Sequence, residues 1–120
     1  MKLYQTMALV IAFTLASGAG AQTSVRDATS KEIAAIRKAM ERDLLDAESA
    51  RFDSVKVKGE DMCGLVNAKN SMGAYVGYRA FNGMIFKDTT GKLLAAPMGM
   101  SGSEEVTRTM CAQKGIPLPP

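Results

Sequence analysis

The chain has 120 residues, with 15 lysines and arginines against 12 aspartates and glutamates, no histidine, and a formal charge of +3. So small a positive excess gives no basis for a nucleic-acid partner. The lack of histidine removes the usual base for a serine or cysteine nucleophile and the commonest metal-binding side chain.

The first residues follow the pattern of a secretory leader. Lys2 supplies the positive start, residues 7–16 form an apolar run, and Ser17-Gly18-Ala19-Gly20-Ala21 offers small residues for cleavage after Ala21. About ten apolar residues fall short of the ~20 that a membrane-crossing helix requires. No cysteine stands near the cleavage region to accept a lipid, so a periplasmic or secreted product is expected. Residues 22–28 are polar and are expected to form a flexible segment before a single α+β domain over residues 29–115, with an extended tail at 116–120.

Thr29-Ser30-Lys31-Glu32 reads as a capping box in which Thr29 and Glu32 satisfy each other's backbone amides. The helix it starts is predicted to run to about Asp46. Ile33, Ile36, Met40 and Leu44 share its inner face, and Lys31, Arg37, Lys38, Glu41 and Arg42 point mostly outward. From Phe52, alternation through Val55, Lys56, Val57 and Lys58 predicts a half-buried strand that ends at Gly59. A second strand over residues 62–68 carries Cys63, and Lys69-Asn70-Ser71-Met72-Gly73 turns the chain back. Residues 75–81 form a third strand. Asn82-Gly83 fits either a tight turn or a bulge in one long strand continuing through Met84-Ile85-Phe86. Asp88-Thr89-Thr90-Gly91 is a turn before a short last strand over residues 92–96. Ser101 and Glu104 suggest a second capping box for a helix over residues 102–114 that ends at Gly115.

This order predicts an N-terminal helix, a three- to four-stranded antiparallel sheet and a C-terminal helix, with both helices on one face of the sheet. Cys63 and Cys111 are the only cysteines. In an oxidising compartment they are expected to form a disulfide that ties the last helix to the second strand.

The residues capable of chemistry are few. Lys69 and Ser71 have the types of a serine–lysine dyad, but they sit two apart in a solvated turn where the lysine would keep its proton. A small periplasmic hydrolase or effector built on that turn is the alternative to a binding protein. Met98 and Met100 offer two soft thioether ligands for Cu(I), fewer than a complete site needs. No catalytic residue, metal ligand or cofactor is assigned on these grounds. The best candidate for a binding surface is the strand–turn–strand around Asn67, Lys69, Asn70, Tyr75, Tyr78 and Arg79, because tyrosine and arginine combine broad contact area with polar donors.

Asp46-x-Glu48-Ser49-Ala50-x-Phe52, followed by Cys63-Gly64-x-Val66-Asn67-x-Lys69-Asn70-x-x-Gly73-x-Tyr75-x-Gly77-x-x-x-Phe81, resembles a group of small exported bacterial proteins and lipoproteins of unassigned function. The likeness covers about residues 44–86. Many members carry proline after the first aspartate, where this chain has Ala47, and membrane tethering is not implied here without a lipid-acceptor cysteine. The resulting expectation is a non-enzymatic binding or interaction module of the bacterial envelope, with a protein or envelope component as partner.

Overall fold

The computed structural model describes residues 24–100 and 102–120. The expected leader and its cleavage after Ala21 therefore lie outside the described residues, as does Ser101. The element order is β1 (Arg26–Asp27), α1 (Ser30–Met40), β2 (Arg51–Lys58), β3 (Asp61–Lys69), β4 (Tyr75–Lys87), β5 (Leu93–Met98) and α2 (Glu104–Gln113). The five strands form one antiparallel sheet in the order β1-β2-β3-β4-β5. The α+β class holds, but the sheet has five strands where three or four were expected.

The extra strand is β1, in the segment expected to be frayed. Arg26 and Asp27 pair with Val57 and Lys56, and Asp27 forms an ion pair with Lys56. Arg26 adds a fork, Nη1 and Nη2 lying 2.6 and 2.9 Å from the two oxygens of Glu32. The predicted capping box is present: Glu32 N–H donates to Thr29 Oγ1 at 3.2 Å, and Thr29 N–H donates to Glu32 Oε1 at 2.9 Å. Glu32 thus caps α1 and holds β1 at once. The Arg26 guanidinium beside it and, more weakly, the Thr29 amide together lower its pKa to about 2 against the opposing effect of burial.

Helix α1 ends at Met40 rather than near Asp46. Residues 44–50 favour helix by composition, so the cause is tertiary. Arg37, expected on the outer face, turns its Nη1 toward the carbonyl oxygens of Ala47, Glu48 and Ala50 at 2.8, 3.0 and 2.7 Å, and its guanidinium lies 5.0 Å from the Phe52 ring centroid. Carbonyls drawn back onto the helix face cannot also point along a continuing helix axis.

The largest difference from expectation is that the two helices cover opposite faces of the sheet. Successive strand residues point to opposite sides. Met62 packs with Ile36 and Met40 of α1, while its neighbour Cys63 is bonded to Cys111 of α2. The α1 face holds the main core: Ile36, Met40, Val55, Val57, Met62, Val66, Phe81 and Ile85. The α2 face is thinner, with Cys63, Cys111, Ile116 and the flanking Leu118. The disulfide is as expected, spanning 48 positions with its Cα atoms 6.0 Å apart. Ile116 is fully buried, so the last residues pack on the bridge although they form neither helix nor strand. Ser103, not the expected Ser101, caps α2 by accepting from Val106 N–H.

Two local features set the sheet's geometry. The β2–β3 register shifts between Asp53 and Lys56, where Ser54 adopts φ +51°, and this bulge puts both Phe52 and Val55 against the α1-face core. Asn82-Gly83 makes no turn. Gly83 lies opposite Pro97, and a Cβ there would fall 2.1 Å from the Ala96 carbonyl oxygen, so only glycine lets β5 approach.

Candidate functional site

The tip of the β3–β4 hairpin is organised by its two asparagines. Asn70 Oδ1 accepts from the amides of Met72 and Ala74 at 3.0 and 3.1 Å, holding the turn. Asn67 Oδ1 accepts from Gly77 N–H at 3.0 Å, where the register slips between Asn67 and Lys69 and Gly77 takes φ +100°. The amide side chain replaces a ladder acceptor that the bulge removes. Both asparagines therefore have structural duties.

Tyr75 donates its hydroxyl hydrogen to the Ser49 carbonyl at 2.7 Å, tying the hairpin to the loop before β2. Its ring carries two cations, Arg51 at 4.0 Å and Lys69 at 5.4 Å from the centroid. Asp46, in the same loop, is held below the usual carboxylate range, first by hydrogen bonding from Ser49 and more weakly by the field of Lys69. Ser71 is exposed on the turn while the Lys69 ammonium lies over Tyr75.

The six residues of the candidate surface do not share one face. Tyr78, directly opposite Asn67, lies on the α2 side and is 47% exposed. Arg79, opposite Val66, lies on the α1 side, where its Nη2 reaches the Gly102 carbonyl at 3.4 Å. There Lys69 and Arg79 help line a cleft of about 480 Å³. Its other walls are Val66, Ala68, Val76 and Gly77 of the hairpin, Asp43, Leu44 and Leu45 after α1, and residues 97–100 at the end of β5 and just beyond it. Val76 is 62% exposed, and Leu45 and Met72 are exposed nearby in the fold or the adjoining turn. The positive-φ Gly99 follows the end of β5, and Met100 packs against the α1-face core while Met98 stays half-exposed on the strand.

Sequence reasoning missed Asp43, Leu45, Val76 and Pro97, because the cleft joins three separate chain segments and has no linear motif. Its electrostatics are also a product of folding. Among the described residues, neither Lys69 nor Arg79 has a carboxylate oxygen within 4.0 Å. A second hollow of about 570 Å³, between α2 and the tail, differs in this respect: its Arg108 is paired with Glu104 and also donates to the Pro119 carbonyl. The first cleft sets Lys69 and Arg79, neither of them ion-paired among the described residues, over an apolar floor with Asp43 in its wall. Among the described residues, no cluster of histidine, cysteine or acidic side chains could hold a metal ion, and no helix is long and apolar enough to cross a membrane. Compared with protein families, curated proteins and solved structures, the chain matches no family model, no curated protein and no solved structure.

Proposed function

We propose that the chain is a non-enzymatic binding module of the bacterial envelope, and that the cleft at the hairpin end receives its partner. One observation carries this reading: Lys69 and Arg79, which form no ion pair among the described residues, line an apolar concavity made by Val66, Ala68, Val76 and Pro97. An apolar wall with a few converging polar groups is the usual make-up of a ligand site. The Lys69 ammonium lies over the Tyr75 ring while Ser71 is exposed on the turn, so the pair is not arranged as nucleophile and base, and binding accounts for the cleft better than hydrolysis does. The bridge between Cys63 and Cys111 supports work outside the reducing cytoplasm.

The test is site-specific photocrosslinking in intact cells, with the reactive group at Val76 and, as control, at exposed Lys87 at the far end of β4. The expected result is a discrete adduct from Val76 alone, weakened by Lys69→Gln with Arg79→Gln. No adduct, or the same adducts from both positions, would overturn the proposal.

A further inference from the structure

We infer that the open edge of β4 beside this cleft takes an extended polypeptide segment bearing a carboxylate, which adds as a short strand next to residues 76–78, short of Ala80, whose amide Glu104 already holds. The location rests on the proposed binding role of the cleft; the chemistry of the occupant is argued from the strand itself.

β4 runs from Tyr75 to Lys87 and pairs with β3 from Tyr75 onward, but β5 begins to pair only at Asn82. The first half of β4 thus has no strand on its outer side among the described residues. Its outward amides still need acceptors. Ala80 N–H shows how that need is met within the chain: it lies 3.0 and 3.1 Å from the two oxygens of Glu104, a carboxylate serving where a strand carbonyl would. Antiparallel strands direct amides to alternate sides, so Tyr78 N–H faces the same open edge as Ala80 N–H, two residues nearer the hairpin tip.

An added strand would project alternate side chains toward the cleft. There they would meet Val66, Val76 and Pro97, and beside them Lys69 and Arg79, neither of which forms an ion pair among the described residues. Apolar contact with two cations outside any ion pair of the described residues selects a segment combining aliphatic side chains with an acidic one. Nucleic acid fits poorly, because two cations accompanied by Asp43 are a weak match for a continuous row of phosphates. A peptide alone supplies the alternating donors and acceptors that the edge lacks.

The probe is a blocked fluorescent peptide alternating valine with aspartate, compared with an asparagine counterpart and with a version carrying proline at its centre. The expected result is saturable binding of the first to the disulfide-bonded protein, with amide shifts at Tyr78 and its neighbours. Binding should be about tenfold weaker for the asparagine peptide and lost for the proline peptide, which lacks a ladder donor. Lys69→Gln with Arg79→Gln should erase the preference for aspartate over asparagine while sparing the fold. Equal binding of the proline peptide would overturn strand addition and leave the cleft as a side-chain site. Failure of all three peptides, with the Val76 photo-adduct retained, would overturn the peptide assignment but not the binding role. A concentration-dependent dimer that shifts the Tyr78 amide without peptide would assign the edge to a second copy and likewise overturn it.

Discussion

The two faces of the sheet solve the same problem by different means. On the α1 side, Ile36 and Met40 of the helix meet Val57, Met62, Phe81 and Ile85, and the Phe52 and Phe81 rings pack edge to face at 6.0 Å. That side is held by buried area and shape. On the α2 side, the buried cluster contracts to the two cysteines and Ile116, while Met84, Phe86, Met98 and Met110 stay substantially exposed. A helix with so little apolar purchase is retained by a covalent bond. In a small domain, where core volume is scarce, one face can take most of the packing if the other is stapled.

The comparison breaks most visibly if the staple is removed. Replacing both cysteines by alanine is expected to cost about 2–5 kcal/mol of stability, read as a lower unfolding midpoint in denaturant. If the two faces are as unequal as described, α2 amides lose hydrogen-exchange protection before those of α1 and β3. Uniform loss across both helices would mean that the faces are energetically coupled and the contrast is false.

A smaller effect is expected from Gly64→Ala, which tests packing on the other side. A Cβ at Gly64 would lie 2.9 Å from the Phe81 ring and from Val55 Cγ2, with Phe81 fully buried. Overpacking of this kind costs about 1–3 kcal/mol, and thermal unfolding of the oxidised protein measures it. A neutral result would show the α1-face core to be looser than its contacts imply.

The smallest effect concerns the seam where β1 joins α1. Glu32 has its pKa lowered from 4.5 to about 2 by Arg26 and the Thr29 amide. A carboxylate with a depressed folded-state value contributes stability that is present above its ordinary value and is lost as pH falls through the lowered one. Acidification from pH 4.5 toward 2 should therefore remove roughly 1–2 kcal/mol attributable to this group, allowing for the half-exposed Arg26. Glu32→Gln should flatten that part of the stability profile; an unchanged profile would dissociate β1 from the cap.

The legible parts of the fold were those with short-range chemistry. Thr29 and Glu32 announce a helix start, Val55-Lys56-Val57-Lys58 alternates as a strand should, and two cysteines in a chain with a leader-like start point to one bridge. Three features were hidden for separate physical reasons. β1 has two charged residues and no apolar alternation, and it is defined by partners at Val57, Lys56 and Glu32. The end of α1 is set by Arg37 gathering distant carbonyls against the helical preference of the local sequence. The layering was readable in principle, since Met62 through Val66 are buried without alternation, as in a strand covered on both sides, but the run is short enough to pass for a one-sided strand. Of the candidate site, Lys69 and Arg79 were identified from residue type; Asp43, Leu45 and Pro97 join them only through the tertiary fold.

Because the sulfur link joins β3 to α2, it encloses β4, β5 and the three connections between these elements within a single covalent ring. A protease that severs the backbone once in the exposed Asp88–Gly91 turn would open the chain without releasing either piece. The cut molecule would gain only the one water consumed in hydrolysis and would migrate as two fragments only after reduction, so a single cut at this outer hairpin leaves both pieces linked for as long as the surroundings remain oxidising.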